Sequence, residues 1–174
     1  MADAAMSPFP FFSTCDFCDL HKTDDSGAFR VLPPSLSSFG GKRVFAGPVS
    51  TVKCFEDNAL VKAALDTPGE GRVLVVDGGG SLRRALVGGN LAAAAAANGW
   101  AGVVVDGCVR DAAELAAASV GICALGLMPL PTTKRGEGQR DVAIQVLGVS
   151  VRPGDWLYAD QDGIVVSTTA LHAP

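Results

Sequence analysis

Residues 88–114 read GGNLAAAAAANGWAGVVVDGCVRDAAE, and they predict a helix followed by a buried strand. Six consecutive alanines, the best intrinsic helix formers, lie in the first half, and Asn98 with Gly99 supplies a C-terminal stop. We therefore expect a helix of about ten residues that leads roughly 15 Å away from Gly89. The β-branched run at 102–106 lacks alternation, which is typical of a strand covered on both faces. Such a strand returns the chain to the start of the helix.

This return places Arg110 and Asp111 beside Gly88 and Gly89. At a helix start, free backbone N–H groups and the positive end of the helix dipole favour an anion. The guanidinium of Arg110 adds planar donors that match a carboxylate, and Asp111 offers a hard oxygen ligand for Mg²⁺ or Mn²⁺. The pattern therefore predicts a small acidic substrate next to a divalent metal ion. The local sequence leaves one alternative open, a surface pair in which Asp111 only caps a following helix, with Glu114 on the same face.

A second buried strand is predicted at 72–77, and three glycines follow it at 78–80. Strand, helix and strand make a parallel βαβ unit, so Asp77 and Asp106 should lie at the same edge of the sheet. In open α/β sheets this edge is where ligands bind. The glycines by themselves are equally well a flexible turn, because the spacing of a dinucleotide or phosphate-binding fingerprint is absent.

Outside this unit the sequence predicts the order of the helices and strands but their bounds only approximately. Cys15 and Cys18 form a CxxC pair that we interpret as ordinary helix residues, because zinc needs a second pair of ligands. We place Cys108 in the turn after the strand, and we read 129–140 as a soft loop with two glycines. The remaining predictions are helices at 14–21 and 57–65 and strands at 43–54, 121–125, 142–151 and 163–167, the last two as antiparallel partners joined around 153–155.

The composition bounds the class of protein. Of 174 residues, 48% are apolar, 18% are charged and 6% are aromatic, which predicts a single α/β domain over residues 1–174 with a core of small aliphatic side chains. We expect a flexible start at 1–13 and a frayed end at 168–174. A mean hydropathy of +0.31 is high for a small monomer and favours buried subunit interfaces.

Charge and segment patterns exclude several functions. The net charge of −4 argues against direct binding of nucleic acid, which needs a basic face for phosphates. The N-terminus lacks a basic leader and an apolar segment of signal length, and no run approaches eighteen apolar residues. We therefore expect a cytoplasmic protein with no membrane partner. The two histidines, His21 and His172, lie far from Arg110 in sequence, which argues against a histidine-rich zinc site.

Several longer motifs follow one another along the chain. They are VKCFEDN at 52–58, GRVLVVDGGGS at 71–81, GVVVDGCVRD at 102–111, GEG at 136–138 and WLYADQDGI at 156–164. In this order the motifs resemble the RraA-like family, which includes the regulator of ribonuclease E activity and the metal-dependent 4-hydroxy-4-methyl-2-oxoglutarate aldolases. The similarity is greatest to plant-type members.

The resemblance implies a swivelling-type β/β/α fold, a single domain whose central mixed sheet contains the parallel βαβ unit, assembled as a homotrimer or a hexamer. It also implies that Asp111 binds the divalent metal and that Arg110 contacts the substrate. The family's other substrate contacts come from a four-residue turn, here Gly88, Gly89, Asn90 and Leu91. One position departs from the aldolases, which have an acidic residue where this chain has Gly89, a pattern more similar to the regulator branch.

On this basis we expect a lyase that cleaves 2-oxo acids through a pyruvate enolate, with Mg²⁺ or Mn²⁺ on Asp111 and with Arg110 and Asp111 as catalytic residues. The reactions are cleavage of 4-hydroxy-4-methyl-2-oxoglutarate and decarboxylation of oxaloacetate. The alternative is a non-catalytic regulator that binds a ribonuclease E-type enzyme through its acidic surface. A third reading, a methyltransferase that uses S-adenosylmethionine, is favoured only by the turn at 75–80.

Overall fold

Four helices and twelve strands form the part of the chain that the structure describes, which is residues 11–172 of a computed structural model. The helices are α1 (Thr14–His21), α2 (Ala59–Leu65), α3 (Gly89–Ala97) and α4 (Ala112–Ala117). The strands are β1 (Phe29–Val31), β2 (Ser37–Ser38), β3 (Phe45–Lys53), β4 (Val73–Asp77), β5 (Ala85–Val87), β6 (Gly102–Val109), β7 (Gly121–Leu127), β8 (Gln139–Arg140), β9 (Ile144–Val146), β10 (Val149–Val151), β11 (Trp156–Ala159) and β12 (Ile164–Ser167). None of these four helices is long and apolar enough to cross a membrane.

The long strand β3 joins the two halves of the central sheet. Its first part, Phe45 to Pro48, pairs antiparallel with β11, and the sheet continues through β12 to β1. Its second part, from Val49 onward, pairs in parallel with β4, which is followed by β6 and β7 in parallel and by β2 antiparallel. The sheet is therefore mixed, in the order β1, β12, β11, β3, β4, β6, β7, β2. This architecture confirms the predicted fold class.

Strand β4 is buried on both faces, which explains its uninterrupted apolar sequence. Successive side chains of a strand point to opposite sides of the sheet. Leu74 and Val76 pack in one core cluster with residues of α2 and α3. Val73 and Val75 pack in another cluster with residues of β9 and β10. Helices thus cover one face of this strand, and a hairpin covers the other.

Helix α3 has the extent and the ends that the sequence predicts. It begins after an N-cap at Gly88 and ends at a C-cap at Asn98, one residue before Gly99. Ala92 and Ala95 are completely buried in the core cluster. Because their side chains are small, the helix packs closely on the sheet.

The predicted βαβ unit is confirmed, with one addition. Strands β4 and β6 are parallel neighbours, and Asp77 lies opposite Asp106 in their register. Between β4 and α3 the chain forms the short strand β5, which pairs in parallel with the last residues of β6. This strand could not be predicted from the sequence, because three residues are too few to show a periodic pattern.

Three local predictions were wrong. Cys108 lies inside the buried strand β6 and not in a turn. The end of the predicted loop at 129–140 forms β8, which pairs with β3. The segment at 163–167 pairs with β11 and β1 rather than with 142–151, where β9 and β10 form their own hairpin. The pairings of β8 with β3 and of β12 with β1 join segments that are distant in sequence, which local patterns do not specify.

Both ends of the described range are fastened to the rest of the protein. Near the start, the N–H and the hydroxyl of Thr14 donate to the carboxylate of Asp160 at 2.8 Å and 2.7 Å. At the other end, the hydroxyl of the buried Tyr158 is hydrogen-bonded to Nδ1 of His172 at 2.6 Å. The flexible start and the frayed end stay predictions for residues 1–10 and 173–174, which lie outside the described residues.

Candidate active site

Strand β6 delivers Arg110 and Asp111 to the start of helix α3, as the sequence predicts. The backbone N–H of Arg110 donates to the carbonyl oxygen of Val87 at 2.9 Å, which holds the end of β6 beside β5. The Oδ2 atom of Asp111 accepts a hydrogen bond from the N–H of Gly89 at 2.9 Å. This bond satisfies the first N–H of the helix. The N–H groups of the next two residues belong to the same turn and have no acceptor inside the helix, so they suit an anion.

Asp111 has an uncommon backbone conformation. Its φ of 64° and ψ of 52° lie in the left-handed region, which aspartate tolerates better than most residues. It occupies the N-cap position of α4, but its side chain forms no hydrogen bond with that helix. The alternative in which Asp111 only caps the following helix is therefore wrong, because its carboxylate binds the start of α3.

Two glycines make room for the side chains at this place. An ideal Cβ at Gly88 would lie 2.7 Å from Oδ2 of Asp111 and 3.3 Å from Nε of Arg110, so both side chains lie directly against this residue. An ideal Cβ at Gly89 would overlap the carboxylate of Glu114. Glu114 therefore fills the space that a side chain at position 89 would take. A second carboxylate thus lies at the start of α3, although position 89 itself carries no acid.

A cavity of about 150 Å³ opens beside this helix start. Ligand pockets for drug-sized molecules measure roughly 300–1,000 Å³, so this one suits a compact molecule. Its cationic lining residues are Lys62, Arg110 and Lys134, and its single acid is Asp111, so the balance of charge favours an anionic ligand. The other lining residues are Asn58, Ala85, Gly88, Gly89, Asn90, Leu91, Pro131 and Thr132.

Asn58 connects the parts of the chain that line the cavity. Its side-chain N–H donates to the carbonyl oxygen of Leu86 in β5 at 3.0 Å. Its side-chain oxygen accepts from the hydroxyl of Thr132 at 2.9 Å. The N–H of Ala85 also donates to the carbonyl oxygen of Leu130 at 2.8 Å. The start of α2, β5 and the segment after β7 are therefore joined around the cavity.

Asp57 fastens the next part of this segment. Its Oδ2 atom accepts hydrogen bonds from the N–H groups of Arg135 at 2.8 Å and Glu137 at 3.1 Å, and its Oδ1 atom accepts from Ala59 at 2.9 Å. Burial alone would raise the pKa of Asp57, but these backbone N–H groups lower it below its ordinary value. The charged carboxylate therefore fixes the backbone that follows Lys134, which lines the cavity.

The residues at the cavity fit a hard divalent cation that keeps most of its water. Within residues 11–172 no three His, Cys, Asp or Glu side chains are placed to hold a metal ion together. Asp111 is exposed, however, and only its Oδ2 atom is engaged by Gly89. Mg²⁺ and Mn²⁺ accept such a site, because they commonly bind one or two carboxylates together with substrate and water.

Asp77, the last residue of β4, and Asp106, inside β6, serve the fold and do not line this cavity. Asp77 accepts hydrogen bonds from the N–H groups of Gly79 at 3.0 Å and Gln145 at 3.4 Å. Asp106 accepts from the N–H of Leu147 at 3.2 Å. Burial raises the pKa of Asp106 against the lowering effect of that N–H, and the nearby charge of Asp77 adds to the rise. Both carboxylates hold the hairpin of β9 and β10 against the sheet.

The glycine turn at 78–80 is packed against protein. An ideal Cβ at Gly78 would lie 2.6 Å both from the carbonyl oxygen of Asp106 and from a methyl group of Leu86. One at Gly79 would lie 2.9 Å from the ring of Phe55. These glycines are needed for close packing, so the turn gives the methyltransferase reading no support.

Asn58, Lys62 and Lys134 also line the cavity, although the sequence patterns do not mark them as site residues. Asn58 follows an acid just before an apolar helical run, a pattern that normally indicates a helix cap. Lys134 lies in the segment 129–140, for which the sequence predicts a loop. The available signal was a basic side chain in a loop that follows a buried strand of a parallel sheet, since such loops frequently carry binding residues.

Comparisons with known proteins agree with this architecture. Residues 14–166 match the RraA-like family, described as Aldolase/RraA. A protein of Albidiferax ferrireducens with a provisional name as a 4-hydroxy-4-methyl-2-oxoglutarate aldolase is 67% identical, and the match covers 93% of this chain and 98% of that protein.

Two solved structures share the fold at substantial identity. The RNA-processing inhibitor RraA from Thermus thermophilis has a TM-score of 0.85 and 48% identity, and the match covers 91% of this chain and 94% of that one. A protein of Geobacillus kaustophilus HTA426, described as an S-adenosylmethionine:2-dimethylmenaquinone methyltransferase, has a TM-score of 0.86 and 46% identity, covering 92% and 97%. The same architecture therefore occurs under three different functional names.

Proposed function

Because the chain belongs to the RraA-like family, we propose that it is a divalent-metal-dependent carbon–carbon lyase that releases pyruvate from 2-oxo acids. The proposed reactions are the cleavage of 4-hydroxy-4-methyl-2-oxoglutarate and the decarboxylation of oxaloacetate. The provisional names of the relatives support the first reaction, and the chemistry of the site supports both.

One observation carries the proposal, namely that the Asp111 carboxylate is fixed by the Gly89 N–H at the mouth of the cavity, against the same glycine as Arg110. The helix start and the guanidinium supply donors for the carboxylate of a 2-oxo acid. The exposed carboxylate of Asp111 supplies a ligand for a cation beside the 2-oxo oxygen. A site with both groups within one small cavity suits a substrate that carries a carboxylate next to a carbonyl.

Both reactions break the bond between C3 and C4 of the substrate, and the electron pair stays on C3. In the first reaction the C4 hydroxyl loses its proton and the products are two molecules of pyruvate. In the second the C4 carboxylate leaves as carbon dioxide, and in both reactions C3 takes up a proton to become the methyl group of pyruvate. Arg110 and the N–H groups of the α3 start bind the C1 carboxylate and orient the bond that breaks. Bound Mg²⁺ or Mn²⁺ would polarise the 2-oxo group and stabilise the negative charge that develops on its oxygen.

Decarboxylation should be the more robust of the two activities. It needs no group that accepts a hydroxyl proton, whereas the cleavage of the hydroxy acid does. Position 89, which is acidic in the aldolases that the chain resembles, is glycine here. The carboxylate of Glu114 occupies the space at that position, which supports some retention of the cleavage reaction.

The proposal is tested with purified protein, Mg²⁺ or Mn²⁺ and oxaloacetate. We expect pyruvate to form faster than with the metal alone, and we expect the Asp111→Ala variant to lose this excess, a decrease of at least about 100-fold. Asp111→Asn should behave similarly while keeping the fold, because asparagine tolerates the left-handed backbone at this position. Equal rates for wild type and both variants would reject the metal role of Asp111.

A second candidate function is regulation of an RNA-processing enzyme. The 48% identity to an RNA-processing inhibitor favours it, as does the net charge of −4, which suits a basic partner segment. In this case the partner is a ribonuclease and no catalysis is needed. The acidic surface, and not the cavity, then carries the function.

The two candidates are separated by binding and turnover measured on the same preparations. Binding of a ribonuclease E-type enzyme that survives Arg110→Ala and Asp111→Ala, together with pyruvate formation no faster than with free metal, decides for the regulator. Metal-dependent pyruvate formation that both substitutions abolish decides for the lyase. Sedimentation of the same samples tests the proposed homotrimer or hexamer.

A further inference from the structure

Two buried carboxylates lie side by side in the central sheet, outside the lining of the cavity at the α3 start. Asp77 and Asp106 are opposite each other in the parallel register of β4 and β6, and each is less than one-tenth exposed. Neighbouring strands lie about 4.8 Å apart. Both carboxylates accept hydrogen bonds from the same β9–β10 hairpin, so both point to one face of the sheet. Two acidic groups are therefore close together in the interior.

No cationic side chain among the described residues balances this pair. Neither Asp77 nor Asp106 takes part in an ion pair within that part of the chain. Lys53 lies opposite Asp77 in the register of β3 and β4, but it is exposed and does not form an ion pair with this aspartate. A buried ionised carboxylate is strongly unfavourable unless an opposite charge compensates it. The pair therefore needs a cation or a proton.

The four carboxylate oxygens of the pair are not equally satisfied. The Oδ1 atom of Asp77 accepts from the N–H of Gly79, and the Oδ2 atoms of both aspartates accept from the hairpin. The Oδ1 atom of Asp106 is buried, and no hydrogen-bond donor among the described residues reaches it. Buried polar atoms almost always contact a hydrogen-bond donor, an ordered water or an ion. The compensating charge is therefore expected at Oδ1 of Asp106.

The last residue of the glycine turn at 78–80 leaves room beside this oxygen. Gly80 has a left-handed φ of 69°, and unlike Gly78 and Gly79 it is not packed closely against protein. An ideal Cβ at Gly80 would lie 3.7 Å from Oδ1 of Asp106, and apart from the adjoining chain no other described atom comes within 4 Å of that Cβ. A small occupant beside Gly80 can therefore contact Oδ1 directly.

We propose that Asp106 and the glycine turn at 78–80 form a binding site for one monovalent alkali cation, Na⁺ or K⁺. The Oδ1 atom of Asp106 contacts the cation, and main-chain carbonyl oxygens of the turn together with water complete its coordination. A single positive charge offsets the repulsion between Asp106 and Asp77 and links β6 to the turn after β4.

Divalent cations fit this site less well than monovalent ones. Mg²⁺ gives up its water reluctantly, whereas the free oxygen of Asp106 is buried. Ca²⁺ takes about six to eight oxygen ligands, and within residues 11–172 no third His, Cys, Asp or Glu joins the pair to hold a metal ion. A proton on Asp106 competes with the cation, and burial, which raises the pKa of this carboxyl, favours the proton in acid. The cation therefore binds best at alkaline pH.

Thermal unfolding of the purified protein tests the site at about pH 8, with EDTA to remove divalent cations. The ionic strength is held constant with tetramethylammonium chloride, whose cation is too large for the site, and KCl or NaCl replaces this salt up to about 100 mM. We expect the Tm of wild type to rise by about 3 °C or more, because the cation binds the folded state only, and to rise less at about pH 5. Asp106→Asn removes the charge while keeping the shape of the side chain, and its Tm should change by less than about 1 °C.

Asp111→Asn is the matched control, because it removes a carboxylate charge at the cavity and leaves Asp106 intact. Its Tm should rise with K⁺ or Na⁺ as that of wild type does. Crystals of wild type soaked in a rubidium or thallous salt locate the cation directly, and we expect an anomalous peak in contact with Oδ1 of Asp106. A water molecule there without an anomalous peak, an equal rise in Tm for wild type and Asp106→Asn, or no rise in wild type overturns the proposal. None of these measurements depends on pyruvate formation, so the proposed lyase activity is tested separately.

Discussion

Three aspartates lie at or near the carboxyl ends of the neighbouring parallel strands β4 and β6, but the protein uses them in two different ways. Asp77 and Asp106 are buried, and their oxygens accept hydrogen bonds from the backbone of a glycine turn and of the β9–β10 hairpin. Asp111 lies only five residues beyond Asp106 and is exposed at a cavity, with one oxygen held by a single N–H group.

The difference shows what turns a strand-end acid into a candidate ligand. All three aspartates lie toward the carboxyl edge of the parallel strands, so this position alone does not determine which of them can bind a ligand. The decisive property is burial, because Asp77 and Asp106 are covered by the β9–β10 hairpin whereas Asp111 is exposed. Where the hairpin covers the edge, its N–H groups donate hydrogen bonds to the carboxylates. Where the start of α3 leaves the edge open, the second oxygen of the Asp111 carboxylate is available to a ligand.

The largest expected effect on stability comes from removing one of the buried acids. Asp77→Ala leaves the N–H groups of Gly79 and Gln145 without their acceptor, so we expect the free energy of unfolding to fall by about 2–3 kcal/mol in urea. Asp111→Asn is the matched variant at the cavity, and it should cost less than about 1 kcal/mol. A larger loss for Asp111→Asn than for Asp77→Ala would reverse the comparison.

A smaller effect is expected from adding an acid at the cavity side. In Gly89→Asp the new side chain meets the carboxylate of Glu114, which must move, so we expect a loss of about 1 kcal/mol. Glu114→Ala removes the obstacle, and the double variant should regain about 0.5 kcal/mol or more over the sum of the single losses. A double-mutant cycle in urea measures this coupling. Strictly additive losses would show that Glu114 does not occupy the space at position 89.

The smallest effect concerns the pH dependence of stability. The Oδ1 atom of Asp106 is buried without a hydrogen-bond partner among the described residues, and burial raises the pKa of this group. A raised pKa means that the folded protein holds the proton more tightly than the unfolded chain. Its stabilising contribution is therefore complete below the unfolded pKa of about 3.9 and declines as the pH rises through the folded pKa.

Asp106→Asn removes this titration while keeping the shape of the side chain. We expect the stability of wild type to fall more than that of the variant between about pH 4 and pH 7, by less than about 1 kcal/mol. Urea unfolding at several pH values measures the difference. Asp57 affects the pH dependence of stability with the opposite sign, because its pKa is lowered and its stabilisation is lost as the pH falls. This contribution is the same in wild type and in the variant, so it cancels in the comparison. Parallel pH profiles would contradict the assignment to Asp106.

The part of the site that the sequence predicts is the part built by local pattern. A helix and a strand each have a known rise per residue. The lengths of the polyalanine helix and of the β-branched strand therefore predict that Arg110 and Asp111 return to Gly88 and Gly89. The strand register and the hydrogen bond from Gly89 to Asp111 agree with this counting. The parallel βαβ unit follows from these segments and the strand at 72–77, whereas the complete fold class was implied by the resemblance to the RraA-like family.

The rest of the cavity could not be predicted in this way, because it depends on contacts between distant segments. Asn58 and Thr132 are 74 positions apart, and nothing in either local sequence specifies their pairing. The same holds for the approach of Glu114 to Gly89, which only the packing of α3 against α4 produces. Propensity and periodicity describe single elements, whereas these contacts arise from the way the elements pack.

The left-handed backbone conformation of Asp111 has a consequence for how proteins of the RraA-like family evolve. Asparagine and glycine adopt this conformation with the least strain, so a single codon change could remove the carboxylate while the protein still folds and keeps its outer surface. If Asp111 binds the metal ion as proposed, this one substitution would convert one copy of a duplicated gene into a non-catalytic protein. Ancestral reconstruction that follows position 111 across lineages would show how often that path was taken.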